Sequence, residues 1–442
     1  MVLIGKRDLL FDVTYFFGSN PSNTYFYQEK DFETAQSMVK LCRQVAEHRG
    51  DILIVTHLEK TVEEALSDEG FLVNKDYFFF PALKSAFGQL LARQGCSAEE
   101  ATELWPIYCR MFYSSHGKYM PCQHPLYEAE ITAGGNVHTC CSAIMPFAIG
   151  NVRHTPIRKI WHSPRARLLR LSLLNGTAIF CTPEKCGLLR AGSTALEKNL
   201  PQVSDYPLVI NIAVDATCNL SCPSCRTGVL VEDQDALGQK LRWLEGLDEA
   251  FYRDVADIYV AGNGECMFSR VYRSYLLDQL IPKFRGRLHL VTNGQIWNDE
   301  LLGKITAVFQ PEVLISIDAW EKETYEKLRR GGSYSQLLEN VKKYVTLQAQ
   351  GKLSAVVARF VVQVCNYQEI PRFIRNMRKL GIDRIELTRL VDGGAFSVDG
   401  FESNSLLNKD GSLKKEYLPF FAQHVWPLLG NDVSADCAYL PQ

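Results

Sequence analysis

Short apolar runs alternate with amphipathic stretches along the chain from about residue 207 onwards. The apolar runs predict strands at residues 208–213, 257–261, 287–292, 313–317, 355–364 and 384–390. Between them, apolar residues recur at helical spacing over residues 237–255, 271–284, 299–308, 336–350 and 369–380. Repeated strand–helix units indicate a parallel sheet with its active site at the carboxyl ends of the strands. The pattern therefore predicts an α/β partial barrel, of the (βα)6 type and open on one side, over residues 207–400.

Three further segments flank this array. Residues 1–115 carry strand-like runs at 51–55 and 76–80 with helical patterns at 32–48 and 62–69, which predicts an N-terminal α/β accessory domain. This region has no Gly-x-Gly-x-x-Gly loop, so a docking or scaffolding role is expected rather than a nucleotide site. Residues 116–200 are rich in cysteine and turns, and residues 401–442 are predicted to form a loop-rich C-terminal extension.

Composition narrows the class of protein. The chain has 442 residues, and 48 Lys plus Arg against 50 Asp plus Glu give a net charge of −2, so nucleic-acid binding is not favoured. No apolar stretch approaches the roughly 20 residues of a membrane helix, and Met1–Asp8 lacks the layout of a secretion signal. A cytoplasmic protein without membrane partners is expected, in which 14 cysteines indicate metal ligation or thiol chemistry.

The strongest local signal is a three-cysteine loop directly after the first strand of the array. It holds Cys218, Cys222 and Cys225. Thiolates are the usual ligands of iron–sulfur clusters, and three protein ligands on a four-iron cluster leave one iron open for a cofactor or substrate. Zinc would need a fourth ligand, yet no His or Cys follows within about 40 residues, and a redox dithiol would leave Cys218 without a role.

This Cys-x3-Cys-x2-Cys loop resembles the signature of the radical S-adenosylmethionine (radical SAM) superfamily. The resemblance implies that S-adenosylmethionine binds at the ends of the following strands. The positions that would contact it are Gly262, Asn263, Gly264 and Glu265 after the second strand, Asn293 after the third, Ser316 and Asp318 after the fourth, and Arg359 on the fifth. Ser224 departs from the aromatic residue that the family often has near the adenine.

A second set of cysteines precedes the barrel. Cys122, Cys140, Cys181 and Cys186 are enough for a fully ligated cluster or a structural zinc. Their layout resembles the twitch or SPASM module of radical SAM enzymes, and four ligands suggest the shorter twitch form with one auxiliary 4Fe-4S cluster. That module usually follows the barrel, whereas here it precedes it. Cys141 is an alternative ligand to Cys140.

The resemblance implies an oxidoreductase or epimerase that cleaves S-adenosylmethionine and abstracts hydrogen from a substrate carbon. Twitch enzymes act on aminocyclitols and sugars and SPASM enzymes on ribosomally made peptides. The first region does not resemble the winged-helix peptide-recognition domain of many peptide modifiers, and its strand at 51–57 with the following helix weakly resembles α/β segments of carbohydrate-pathway proteins. A sugar-like or small polar substrate is therefore expected, with a peptide as the alternative. An electron donor such as flavodoxin or ferredoxin is implied, and Cys365, near the end of the fifth strand, could return a hydrogen atom to the substrate. A non-catalytic iron–sulfur or zinc scaffold is the other alternative.

Overall fold

The structure is a computed structural model. It describes residues 2–5, 23–26, 52–55, 59–68, 70–71, 77–80, 91–92, 96–112, 114, 122–182, 186, 203–382, 384–392 and 395–440. The chain divides into two compact units. One comprises residues 1–123, 162–180 and 191–202, and the other residues 124–161, 181–190 and 203–442.

The first unit contains a small parallel sheet of order β2-β1-β3-β4. Its strands are β1 (Val2–Gly5), β2 (Asn23–Phe26), β3 (Ile52–Val55) and β4 (Tyr77–Phe80), and its helices are Glu59–Asp68, Ala98–Phe112 and Pro164–Leu174. The strands predicted at 51–55 and 76–80 are confirmed, and the helix predicted at 62–69 spans Glu59–Asp68. The helical pattern at 32–48 lies outside the described residues.

The second unit is built on one ten-stranded sheet of order β14-β13-β12-β11-β10-β9-β8-β5-β6-β7. Its strands are β5 (Glu128–Thr132), β6 (Asn136–His138), β7 (Gly150–Asn151), β8 (Val209–Ala213), β9 (Asp257–Val260), β10 (Arg287–Thr292), β11 (Glu312–Ser316), β12 (Ala355–Val362), β13 (Arg384–Arg389) and β14 (Val433–Ala435). Strands β8 to β14 and the pair β5–β8 are parallel, while β5, β6 and β7 form an antiparallel meander. The α/β prediction is confirmed, and the mostly parallel sheet resembles a partial barrel.

Helices alternate with the parallel strands. They are Gln234–Glu245, Glu249–Asp254, Arg270–Ser274, Ile281–Lys283, Asp299–Thr306, Lys322–Leu328, Tyr334–Ala349, Ile370–Leu380, Val398–Asn404 and Leu418–Phe420, with His124–Tyr127 and Ile157–Trp161 in the cysteine-rich part. The single helix predicted at 237–255 is wrong. The Asp248 side chain accepts a hydrogen bond from the Phe251 amide (2.7 Å) and starts a second helix there.

The two faces of the sheet differ in polarity. One face is apolar and packs under the helices, as where Phe360 of β12 meets Phe373 at a ring-centroid distance of 4.8 Å. The strand register places polar side chains together on the opposite face. They are Asn211, Tyr259, His289, Glu312, Arg359 and Glu386. The strands therefore carry a set of polar side chains on one face of the sheet.

A network of ion pairs connects the amino ends of β9, β10 and β11. His289 lies between two carboxylates, with Nε2 2.8 Å from Asp257 Oδ1 and Nδ1 2.9 Å from Glu312 Oε2. Arg287 pairs with Asp257 at 2.6 Å, and Arg384 pairs with Glu312. These residues line a cavity of about 1000 Å³ at the end of the sheet away from the three-cysteine loop. The network therefore stabilises the amino ends of these strands, at the end of the sheet opposite the three-cysteine loop.

Candidate metal centre

The three-cysteine loop leaves the carboxyl end of β8 and is held from several sides. The Cys218 amide donates to the Leu230 carbonyl (2.9 Å), and the Ser221 amide donates to the Arg330 carbonyl (3.0 Å). The Cys225 amide donates to the Cys222 carbonyl (2.9 Å), which closes a tight turn. Cys218 and Cys222 are buried, at 8% and 7% exposure, while Cys225 is exposed. The backbone thus fixes all three thiols at one end of the sheet.

Each of the three sulfurs accepts hydrogen bonds from N–H donors. Cys218 Sγ lies 3.5 Å from the Leu220 amide and 3.8 Å from Asn293 Nδ2. Cys222 Sγ lies 3.9 Å from a terminal nitrogen of Arg329, and Cys225 Sγ lies 3.3 Å from a terminal nitrogen of Arg226. Donors of this kind favour the thiolate form, which is the form that ligates metal. The donor set therefore fits an iron–sulfur cluster.

A buried carboxylate at the start of the loop holds it against the following helices. Asp215 is 1% exposed, and its carboxylate accepts from Thr217 Oγ1 (3.2 Å), Lys240 Nζ (3.2 Å) and the Ser269 hydroxyl. The Tyr272 hydroxyl donates to the Asp215 carbonyl (2.8 Å). Because a buried charge is stable only when it is paired, this cluster fixes the entry to the loop.

The predicted loop at residues 262–265 lies directly against the three-cysteine loop. The Glu265 amide donates to the Thr217 carbonyl (2.9 Å). A Cβ on Gly264 would lie 2.5 Å from the Asp215 carbonyl oxygen and 2.8 Å from that of Thr217, so only glycine fits there. Ala261, just before this loop, has φ 77°, a conformation that non-glycine residues seldom adopt outside constrained sites. The structure thus brings together the two loops that the resemblance assigned to the cluster and to the cofactor.

The Glu265 side chain forms its hydrogen bonds within the protein. It is 1% exposed and accepts hydrogen bonds from Thr292 Oγ1 (2.6 Å), the Asn293 amide (2.6 Å) and the Met267 amide (3.1 Å). Burial raises the pKa of this carboxyl group. These bonds join the ends of β9 and β10, and contact of the 262–265 backbone with the cofactor stays a prediction. Asn293 lies beside Cys218, as expected of a residue at this site.

Asp318 and Arg359 have partners within the protein. Asp318 Oδ2 lies 2.6 Å from a terminal nitrogen of Arg329, and its Oδ1 accepts from the Val361 amide (2.8 Å). Arg359 forms an ion pair with Glu386 at 2.7 Å, and its register partner on β11 is Ser316. Direct contact of Ser316, Asp318 or Arg359 with the cofactor stays a prediction. Cys365 lies in an exposed turn after β12.

Sequence reasoning missed two arginines at this site. Arg226 follows the third cysteine and also donates to the Ala216 carbonyl (2.5 Å) and the Asn263 carbonyl, so it connects the two loops. Arg329 lies about 100 residues further along the chain but contacts Cys222. The position of Arg226 beside a ligand could have indicated it, whereas no local pattern marks Arg329.

The second set of cysteines is divided between the two compact units. Cys122 belongs to the first, and Cys140, Cys181 and Cys186 belong to the second. The Thr182 amide donates to the Ile144 carbonyl (3.2 Å), and the Ile144 amide donates to the Cys141 carbonyl (3.0 Å). These bonds tie the segment around Cys181 to the turn that follows Cys140. Cys140 is half-buried and Cys141 exposed.

The described residues contain neither a compact metal-ion site nor a helix suited to a membrane. No group of three or more His, Cys, Asp and Glu side chains in the described part of the chain is arranged around a single metal ion. A four-iron cluster does not require this arrangement, because it binds each thiolate through a different iron. Among the same residues, none of the helices has the length and apolar character needed to cross a membrane.

Comparisons with known proteins identify the cysteine-rich part. Residues 122–188 match the family model of the SPASM iron–sulfur cluster-binding domain. No curated protein matches the chain.

Solved structures with a partial likeness include three enzymes. SuiB from Streptococcus suis bound to precursor peptide SuiA has 13% identity over 52% of this chain and 49% of its own, with a TM-score of 0.36. The anSMEcpe structure with bound AdoMet has 16% identity over 51% and 60%, with a TM-score of 0.34. TYW1 with a lysine–pyruvate adduct has 13% identity over 44% and 65%, with a TM-score of 0.30. The chain spans about half the length of SuiB. Sequence identities and TM-scores this low do not show a shared activity.

The SPASM match covers the second set of cysteines and confirms that an iron–sulfur module precedes β8 in the sequence, with β5, β6 and β7 of the sheet inside it. The match supports an iron–sulfur cluster in this part of the chain. The radical SAM class that the three-cysteine loop at the end of β8 resembles, and S-adenosylmethionine as its cofactor, stay predictions. The assignment of single residues as ligands stays a prediction.

Proposed function

We propose that this chain is an enzyme that binds a 4Fe-4S cluster through Cys218, Cys222 and Cys225 and abstracts hydrogen from a substrate carbon. The observation that carries the proposal is the three-cysteine loop, in which each sulfur accepts an N–H donor at the carboxyl end of β8. When bound, the cluster supplies the electron for reductive cleavage of S-adenosylmethionine, the hard step of the reaction. The protein's own residues bind, orient and shield the reactants.

The residues around the loop have separate tasks in this proposal. The backbone of residues 262–265, held against the loop by the Glu265 amide, binds the methionine end of the cofactor. Asn293, fixed through its amide by Glu265, presents its side chain beside Cys218. The polar face of the sheet, with Arg359, receives polar parts of the substrate. Such groups place the substrate next to the cofactor, and positioning contributes a large share of rate acceleration.

For the substrate, we favour a peptide over the sugar-like molecule expected from the sequence. The expectation of a sugar rested on a weak resemblance of the strand at 51–57 and the following helix to segments of carbohydrate-pathway proteins, whereas residues 122–188 match the SPASM model. SPASM enzymes act on ribosomally made peptides. A sugar-like or small polar substrate is the second candidate, favoured by the charged pair Arg359–Glu386 on the polar face of the sheet.

The outcome of the reaction depends on where the substrate electron goes. Net oxidation requires its transfer to the auxiliary cluster, for which Cys122, Cys140, Cys181 and Cys186 are the proposed ligands. Epimerisation requires a hydrogen atom from a thiol instead, and Cys365 is the proposed donor. The external reductant is a one-electron protein such as flavodoxin or ferredoxin.

Anaerobic reconstitution tests the proposal. The wild-type chain should bind about eight irons and form 5′-deoxyadenosine from S-adenosylmethionine under dithionite. The triple variant Cys218→Ala/Cys222→Ala/Cys225→Ala should keep about half of that iron and form none. Equal cleavage by the two proteins would refute the proposal, and a single metal without cleavage in wild type would support a scaffold. Deuterium transfer into 5′-deoxyadenosine from labelled peptides and sugars then decides the substrate class.

A further inference from the structure

Arg329 occupies a buried position between the three-cysteine loop and the end of β11. Its side chain is 15% exposed, and one terminal nitrogen lies 2.6 Å from Asp318 Oδ2. The other terminal nitrogen lies 3.9 Å from Cys222 Sγ, and the buried Nε has no hydrogen-bond partner. Leaving a buried donor unpaired costs free energy. The protein therefore holds a guanidinium at this place although the site does not satisfy all of its donors.

Asp318 keeps this guanidinium in position. It is 4% exposed and has φ 66°, a conformation in which a non-glycine residue is strained. The Val361 amide holds its carboxylate at 2.8 Å, and Asn366 Nδ2 holds its carbonyl at 2.7 Å. These bonds come from β12 and the turn after it. Since the surrounding structure fixes Asp318 in a strained form, the direction of Arg329 toward Cys222 is also fixed.

Arg226 donates to Cys225 as Arg329 donates to Cys222. Its terminal nitrogen lies 3.3 Å from Cys225 Sγ, while the same side chain is anchored on the Ala216 and Asn263 carbonyls. Two of the three thiols in the loop therefore accept from cations. The third, Cys218, accepts only from neutral donors in the contacts described above, the Leu220 amide and Asn293 Nδ2.

We propose that Arg329 and Arg226 are positioning residues that raise the reduction potential of the cluster on the three-cysteine loop. The inference rests on the proposed function. One-electron reduction makes the cluster and its thiolates more negative. A cationic N–H donor on the sulfur favours that state, and hydrogen bonds and charge near the sulfurs are known levers on cluster potential. The electron comes from the external donor, or from dithionite in the test.

The test is a redox titration of the full-length chain after anaerobic reconstitution. The EPR signal that changes on adding S-adenosylmethionine reports this cluster separately from the auxiliary one. We expect Arg329→Gln and Arg226→Gln each to lower the midpoint potential. At the wild-type midpoint, the ratio of reduced to oxidised cluster should fall about tenfold, equal to about 59 mV for a one-electron couple. Arg329→Lys keeps the charge and should restore part of the shift.

A matched control removes the same charge elsewhere in the same unit. Arg375 is exposed on the helix Ile370–Leu380, and Arg375→Gln should leave the midpoint unchanged. Unchanged midpoints in both Arg329→Gln and Arg226→Gln would overturn the inference while the proposed function stands. If Arg329→Gln loses its iron, the midpoint potential of Arg226→Gln decides the inference. Loss of the cluster in both variants would show a purely structural role and would also overturn the inference. A wild-type chain without any signal sensitive to S-adenosylmethionine would instead refute the proposed function.

Discussion

Replacing Gly264 by alanine tests the close approach of the two loops at the site. The added Cβ would lie 2.5 Å from the Asp215 carbonyl oxygen and 2.8 Å from that of Thr217. Both neighbours are backbone atoms, which cannot rotate away as a flexible side chain would. Gly264→Ala therefore requires the start of the three-cysteine loop to move away from the end of β9.

The size of the effect follows from the cost of overpacking. Forcing extra atoms into a tightly packed site costs about 1–3 kcal/mol, and each kcal/mol shifts Tm by about 2–4 °C in a domain of this size. We expect Gly264→Ala to lower Tm by about 2–12 °C in calorimetry. Because Cys218 follows Thr217 directly, we also expect less iron on the loop and slower formation of 5′-deoxyadenosine.

Gly303 provides the matched control. It lies inside the helix Asp299–Thr306, and a Cβ there would meet no atom within 4 Å. Alanine at a helix interior is favoured over glycine by about 0.5–1 kcal/mol, so Gly303→Ala should be neutral or slightly stabilising with full activity. If Gly264→Ala behaves like Gly303→Ala in both assays, the two loops do not touch as described and the argument fails.

Three further predictions concern other parts of the second unit. Cys140→Ala should lower the iron content by about four per chain and Cys141→Ala should not; the reverse result in iron analysis would assign the ligand to Cys141. If the reaction is an epimerisation, Cys365→Ala should abolish the epimerised product in mass spectrometry with deuterated solvent, while unchanged product formation would remove this thiol from the mechanism. Burial alone would raise the pKa of Asp257, but Arg287 and His289 outweigh burial and lower it. The stabilisation from this carboxylate is therefore present above its ordinary pKa and lost as the pH falls below about 4. Asp257→Asn should flatten the decline of unfolding free energy between about pH 5 and pH 3, and an unchanged decline in urea titrations would contradict the ion network.

The parallel strands of the array could be predicted from the sequence because apolar residues fill or alternate along each of them and polar turns separate them. The prediction at 287–292 coincides with β10, and that at 257–261 differs from β9 by one residue. The strands β5, β6 and β14 were not predicted, since β6 and β14 have only three residues and β5 carries Glu128 and Glu130 at alternate positions; each gains its place by pairing with a neighbour. The helix break at Asp248 depends on one N-terminal capping hydrogen bond, from the Phe251 amide to the Asp248 side chain. The spacing of apolar residues in the sequence does not reveal it.

The site could be predicted only where its residues are close together in the sequence or belong to a known motif. Cys218, Cys222 and Cys225 form such a motif, and the contact of 262–265 with their loop follows from parallel strand order. Arg329 could not be found in this way, because its role comes from a salt bridge to Asp318 and a contact across about 100 residues. The partners of Arg359 and Glu265 are likewise tertiary contacts.

The central claim is that three thiols of one loop leave an iron open for S-adenosylmethionine. Pulsed EPR of the reduced chain with S-adenosylmethionine labelled with 15N in its amino group tests it most directly. A hyperfine coupling from this nitrogen in wild type, absent from Cys222→Ser, is the result that the account predicts. A reduced cluster on this loop that shows no coupling to the label would mean that a protein side chain fills the fourth position, and would contradict the account.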